Sequence, residues 1–306
     1  MNLKNGIYDK KSTYSILDID YFGEYRLQMD TLLSIIIPTY NCEQFVSEGI
    51  DSVLSQLPEN CELILVDDGS EDGTKNVLSS YEGRQDNLHI IYEVHRGASG
   101  ARNTGLDRAK GKYVTFMDCD DCLKAGFLKR NISLPESDAD LYIFGIERVL
   151  LDGSRSASTL QDREFWNISD FADEYIRTRA MLIYSNCNKF YKRSVIEGRG
   201  IRFDESFFFG EDRLFNYSFL MGAGSVVTSS EIMLDYIQRS LESMSTKYDP
   251  DYYDRIMKLH HAKVDCFTSL SKGTTEEEKK LFEKRDLESE IRKMEALGIN
   301  VNERNN

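Results

Sequence analysis

Leu33-Ser34-Ile35-Ile36-Ile37-Pro38-Thr39-Tyr40-Asn41 is the stretch on which the fold turns. Residues 33–37 form a nearly continuous apolar run of strand length, the pattern of a strand covered on both faces of a parallel sheet. Pro38 is expected to end it. Asn41 is placed to cap a helix, with Gln44 three residues on, and Phe45, Val46, Ile50, Val53, Leu54 and Leu57 then recur at helical spacing. Working outward, residues 62–66 read as a second strand, followed by a short helix through Val77, Leu78 and Tyr81. Residues 88–92 read as a third strand, 99–109 as a helix and 112–117 as a fourth strand. Strand and helix alternating at short intervals predict an α/β fold with a mostly parallel central sheet flanked by helices.

Further along, the alternation weakens. Residues 140–151 suggest one or two strands around Gly145, 169–181 a helix, 188–191 and 232–237 short strands, and 211–220 a helix. The tail changes character. Asp249-Pro250 has the form of a cap with proline at the first helical position. Tyr253, Ile256, Met257, His260, Val264, Phe267 and Leu270 then make an apolar stripe that Gly273 ends. Thr275 and Glu278 have capping-box spacing, and Leu287, Ile291 and Met294 make a narrower stripe. These features predict a C-terminal helical pair from near residue 248. The expected division is an extension at 1–31 with no clear period, a main unit at 32–247, and a helical appendage at 248–306.

Composition bounds the function. The chain has 306 residues, 41% hydrophobic and 29% charged, enough for a large core in a water-compatible surface. A net charge of −14 argues against nucleic acid as a partner, because phosphate backbones require a basic field. It leaves room for a phosphate ligand if a divalent cation sits between it and the protein's carboxylates. The N-terminus has no apolar signal core, and no apolar run approaches the length that spans a bilayer, so a cytoplasmic protein is expected. Six cysteines at 42, 61, 119, 122, 187 and 266 show no disulfide framework. Cys119 and Cys122 are formally C-x-x-C, but no further ligands at zinc spacing accompany them.

Three clusters can carry chemistry. Asp118-Cys119-Asp120-Asp121 follows a strand directly, where ligands bind in an open parallel sheet. Its crowded carboxylates suit a hard divalent cation such as Mn²⁺ or Mg²⁺; an acidic turn capping the next helix would read the same. Asp67-Asp68 also ends a strand. It is either a polar turn or a pair of acceptors for a base N–H or a ribose hydroxyl. The stretch from Asp68 to Gly73 begins like a calcium loop, but Ser79 stands where a bidentate acid is required. The third cluster, His95 to Gly105, is Gly-rich without being a dinucleotide or Walker loop, and Arg102 within it is suited to face a phosphate.

In this order, Ser34 to Asn41, Leu65 to Ser70, Gly97 with Ala101 to Gly105, and Asp118 to Asp121 resemble the family 2 glycosyltransferases of GT-A fold, closely over residues 32–130. The resemblance implies that 32–130 is a nucleotide-binding half and 131–247 an acceptor and base half. Pro38, Thr39 and Tyr40 would line a uracil pocket, Tyr40 stacking on the base. Asp68, with Asp67 nearby, would accept from the ring N–H. Asp118 would contact the ribose or the metal, and Asp120 would be the direct metal ligand. Phe209-Gly210-Glu211-Asp212 resembles the family's Gly-Glu-Asp element, so Asp212, with Glu211 beside it, would be the general base of an inverting transfer. Asn188 to Tyr191 resembles the strand before that element. Tyr236 to Arg239, with Ser243 and Ser245, resembles a late element that closes over the diphosphate, Arg239 supplying a cation.

The implied partners are a UDP-sugar donor and a glycan or lipid-linked oligosaccharide acceptor of surface polysaccharide synthesis. Peripheral contact with the inner face of the cell membrane is a family expectation, and the amphipathic tail suits a homodimer or packing on its own domain. The family's processive synthases carry membrane helices and a Q-x-x-R-W element; the lone Trp166 belongs to no such element, which points to single transfers. Two rivals stand beside this reading. A sugar-phosphate nucleotidylyltransferase would need a basic Gly-rich loop where Pro38 to Asn41 stand. A non-catalytic nucleotide-sugar-binding module would bind UDP without turnover.

Overall fold

The computed structural model describes residues 14–19, 25–133, 137–179, 182–207, 209–240 and 251–299. In chain order its elements are β1 (Tyr14–Ile19), β2 (Tyr25–Met29), β3 (Leu33–Thr39), α1 (Val46–Leu54), β4 (Cys61–Asp67), α2 (Thr74–Ser79), β5 (Leu88–Tyr92), α3 (Gly97–Arg108) and β6 (Tyr113–Phe116). There follow β7 (Cys122–Leu123), α4 (Phe127–Asn131), β8 (Leu141–Val149), β9 (Arg155–Ser158), β10 (Arg163–Phe165), α5 (Ile168–Thr178), β11 (Lys189–Lys192), α6 (Arg193–Gly198), α7 (Glu211–Leu220), β12 (Val226–Ile237), α8 (Tyr252–Leu270) and α9 (Glu276–Ala296).

Among the described residues one ten-stranded sheet runs β10-β12-β8-β11-β6-β3-β4-β5, with β7 on β12 and β9 on β8. β6, β3, β4 and β5 are mutually parallel. β11 is the antiparallel element that joins β6 to β8. Every residue of β3 and β4 is buried, as their largely apolar runs lead one to expect. Successive side chains point to opposite faces. Ile36 enters the core beneath α3, α5 and α7, while Ile35 and Ile37 enter the one beneath α1, α2 and α4. The α/β sheet flanked by helices is thus the expected one, but it is mixed rather than mostly parallel, because β7, β9, β10 and β11 pair antiparallel. The extension departs from expectation, since β1 and β2 pair as an antiparallel ribbon.

Two local readings are corrected. Pro38 does not end its strand, because β3 continues to Thr39 with Pro38 opposite Val66. Ile36 accepts from Met117 N, so even-numbered positions of β3 face β6. β6 stops at Phe116, so the N–H that proline lacks has no ladder partner to miss. Asn41 does not cap α1, which starts at Val46 without a side-chain cap. Asn41 instead takes φ +48°, a region asparagine tolerates, and its Oδ1 accepts from Glu71 N at 2.8 Å. It ties the loop after β3 to the loop after β4.

The helical pair is present, with Thr275 and Glu278 forming the capping box. Asp249-Pro250 lies outside the described residues. α8 packs on α5 and α7, and α9 on α8 and α5. The buried stripes differ from those read in sequence. α8 buries Leu259, Lys263 and Cys266 beside Ile256, His260 and Phe267, and α9 buries Phe282, Asp286, Glu290 and Met294. Among the described residues no helix is long and apolar enough to cross a membrane. The six cysteines are free.

Candidate active site

Because β3, β4 and β6 are parallel, the segments at and just beyond their C-terminal ends, 38–41, 67–70 and 118–121, come together at one end of the sheet. On one side of this end Tyr40, 41% exposed, stacks on His95 with centroids 4.2 Å apart. His95 Nδ1 lies 2.8 Å from Asp68 Oδ2. The two acids at the end of β4, Asp67 within it and Asp68 just past it, have separate tasks. Asp68 is buried, and its carboxylate accepts from Arg96 N at 2.6 Å and Gly97 N at 2.9 Å. It thereby satisfies N–H groups where α3 begins. Asp67 accepts from Ser70 N at 3.1 Å through Oδ2, while its buried Oδ1 has no hydrogen-bond partner. Thr39 is buried, its hydroxyl donating to Val66 O. His95 is the residue to which sequence reasoning gave no role; its place three residues past β5 was the available signal.

The acid turn 118–121 is held by close approach. A β-carbon on Gly49 of α1 would stand 3.0 Å from Asp121 O and 3.3 Å from Cys119 O, so only glycine lets α1 back this turn without a shift. Arg102 of α3 is nearly buried and joins Asp118 Oδ1 and Glu211 Oε1, each at 2.8 Å. Burial alone would lower the guanidinium's pKa; the two carboxylates outweigh it and raise it further. Both of its terminal nitrogens are occupied by protein carboxylates.

Asp120 and Asp121 lack such a partner. Burial, then Asp118, pushes Asp120 up to about 6. Burial, then Asp118 and Asp120, pushes Asp121 up to about 9. Asp121 Oδ1 accepts from Ile237 N at 2.9 Å, and its buried Oδ2 has no partner. Crowded hard oxygen donors with a buried oxygen unsatisfied fit a divalent cation in chemistry. Among the described residues no group of three or more His, Cys, Asp or Glu side chains is arranged to hold one, so a bound ligand would have to complete the shell. Arg239 lies alongside, with Nε and Nη2 donating to Asp120 O at 3.2 and 3.0 Å and Nη2 2.9 Å from Glu48. Ser243 and Ser245 lie outside the described residues.

Across this end of the sheet, Glu211 and Asp212 open α7. Glu211 is committed to Arg102. Asp212 is partly exposed, and burial, then Glu211, pushes its carboxyl up to about 6 against the pull of Arg213 and Arg102. Beside it in the field is Lys189 of β11. This buried ammonium donates to Leu182 O and Asn188 Oδ1, each at 2.7 Å, and to Ser185 O. Burial pushes it down to about 7 while Asp212 pulls it up. Arg102 thus ties the acid turn at Asp118 to the start of α7 at Glu211, next to Asp212.

Residues 34–200, more than half of the chain, match the model of glycosyl transferase family 2. The uncharacterized glycosyltransferase EpsJ of Bacillus subtilis (strain 168) is 29% identical over 240 residues, 77% of this chain and 70% of that one. The poly(ribitol-phosphate) beta-glucosyltransferase of Bacillus spizizenii is 28% identical over 256 residues, 81% of this chain but 38% of that longer one. In fold, the chain is similar to S. aureus TarS 1–349 solved in complex with UDP-GlcNAc, with a TM-score of 0.66 and 24% identity over 84% of this chain and 71% of that chain. The ordered motifs, the sheet and these matches agree, and the chain belongs to glycosyl transferase family 2, a transferase of GT-A fold.

Proposed function

We propose that the enzyme moves a sugar from a UDP-sugar to a hydroxyl of a glycan or lipid-linked oligosaccharide in cell-surface polysaccharide synthesis, inverting the sugar centre. The observation that carries the reading is the double bridge of Arg102, which holds the acid turn at Asp118 and the start of α7 at Glu211. It joins the acid turn assigned to the diphosphate to the helix start assigned to the base. TarS, solved with UDP-GlcNAc and with UDP, supports the donor class. A putative teichuronic acid glycosyltransferase, TuaG, 41% identical over 102 residues, supports the acceptor class.

In this reading residues 32–130 bind the nucleotide and 131–247 the acceptor. Pro38, Thr39 and Tyr40 line the uracil pocket, and Tyr40 stacks on the base. Of the two acids at the end of β4, Asp67 retains an unpartnered oxygen for the ring N–H, while Asp68 holds α3 and His95 in place. Asp120, with Asp118 beside it, would hold Mn²⁺ or Mg²⁺, which when bound neutralises charge on the diphosphate leaving group. Arg239 adds a cation at the same end of the sheet. Asp212, its pKa near the working range, accepts the proton of the attacking hydroxyl. Glu211 keeps Arg102, and through it the acid turn, in register.

A nucleotide-sugar donor and a lipid-linked acceptor would place the reaction in the cytoplasm at the inner membrane face. A homodimer through α8 and α9 would have to use their outer surface, where Leu281 and Leu297 are exposed. The test is a panel of UDP-sugars assayed for metal-dependent hydrolysis and transfer, with Asp120→Ala and Asp212→Ala run under saturating metal. Both variants are expected to lose transfer; full activity in both refutes the reading.

A further inference from the structure

The C-terminal helices reach the candidate base at several independent points. Gly210, which precedes α7 with φ +83°, lies so close to α8 that a β-carbon there would stand 2.5 Å from Leu259 Cδ1. Phe207, Tyr252, Ile256, Leu259 and Met294 form a separate apolar cluster at this seam. Arg213, one residue past Asp212, lies 3.7 Å from Glu290 Oε1 of α9 and over the Tyr184 ring, 4.9 Å from its centroid. Tyr184 OH accepts from Lys263 Nζ of α8 at 2.8 Å. Tyr184 belongs to the 182–188 loop, whose Leu182 and Ser185 carbonyls hold the Lys189 ammonium.

On the α9 side, Phe282, Asp286, Glu290 and Met294 are buried at four-residue intervals, one face of a helix. Two carboxylates interrupt this stripe. Asp286 is fully buried and meets Lys263 Nζ, His260 Nδ1 at 2.8 Å and Arg179 Nη2 at 3.2 Å. Glu290, 3% exposed, meets Arg213 and, at 3.0 Å, Lys293. Burying paired charges in such a seam stabilises it no better than apolar side chains of the same volume. What the charges add is direction: each selects particular cations and fixes where they sit.

We propose that Asp286 and Glu290 are positioning residues for the transfer reaction, fixing Arg213 and the 182–188 loop and through them the placement of Asp212 and Lys189. The inference rests on the reading of Asp212 as the base. It makes α8 and α9 part of the acceptor half rather than an appendage to it.

Glu290→Gln and Asp286→Asn keep side-chain shape and remove the charges. Each is expected to lower kcat about tenfold or more, the size of effect that misplacing a reacting group produces. The Kd for UDP should change by less than about twofold, since α9 lies away from the nucleotide half. Glu290→Asp, which restores the charge, should recover part of the loss. Paired Arg213→Met and Glu290→Met removes both charges of that pair, so it should fold and still show the kcat loss. Wild-type kcat in the folded paired variant, or equal losses of UDP affinity and thermal stability in the single variants, overturns the proposal. Asp212→Asn separates the two claims. If it keeps full turnover the base assignment fails and the proposal with it; if it abolishes turnover while the α9 variants keep wild-type kcat, the proposal alone fails.

Discussion

The ring of Tyr40 lies against the imidazole of His95, their centroids 4.2 Å apart and their planes 23° from parallel. One face of the ring assigned to the uracil is therefore already covered, and the covering imidazole is itself tethered to Asp68. A pyrimidine must take the opposite face of Tyr40 or displace His95. Base stacking on an aromatic ring is worth about 1–3 kcal/mol, so Tyr40→Ala should weaken UDP binding about tenfold by titration calorimetry. His95→Ala should change it less than about threefold if the opposite face is the one used. An unaltered Kd for Tyr40→Ala would remove Tyr40 from the pocket.

Asp67 and Asp68 should separate by assay. Asp68→Asn takes an anionic acceptor from two N–H groups at the start of α3, a loss of about 1 kcal/mol of stability by analogy with helix caps. It should lower the Tm by a few degrees and leave UDP affinity nearly intact. Asp67→Asn should do the reverse, weakening UDP by about tenfold, the lower end for a hydrogen bond to a charged group. The same phenotype in both variants would refute the division of tasks.

Arg102→Leu leaves Glu211 buried and Asp118 partly exposed without their shared cation. Stranding a buried carboxylate costs about 3 kcal/mol or more, discounted here because Asp118 is 36% exposed. Urea denaturation should show a loss on the order of 2–3 kcal/mol, and transfer should fall with it because the acid turn and α7 lose their common anchor. Arg102→Lys keeps the charge but cannot fork between two carboxylates; it should recover more stability than activity.

The Asp212 carboxyl, pushed up to about 6, sets two opposite pH dependences. As a base it must be ionised, so kcat should rise with pH on an acid limb near 6. For stability the sign reverses. The folded pKa is above the ordinary value of 3.8, so the contribution is fully present below about 3.8 and is lost as pH rises through about 6. Asp212→Asn should flatten both the kcat profile and that part of the Tm profile. An acid limb unchanged in Asp212→Glu and wild type at about pH 4 would assign the proton transfer elsewhere.

The sequence by itself determined the α/β sheet, the family and the meeting of the acid-bearing segments at one end of the sheet. Those signals are local: a short, nearly continuous apolar run such as Leu33 to Ile37 fits a doubly covered strand, and acids at the C-terminal ends of parallel strands emerge at one end of the sheet. Only the tertiary structure decided what each charged group is paired with, because pairing joins residues far apart in the chain. Arg102, read as a phosphate ligand, is held by Asp118 and Glu211. Asp68 accepts from the N–H groups of Arg96 and Gly97 where α3 begins, and Asp286 and Glu290 of α9, which the apolar stripe left out, are buried against cations from α5, α7 and α8. Apolar periodicity cannot register a carboxylate that is buried because a partner from another helix neutralises it.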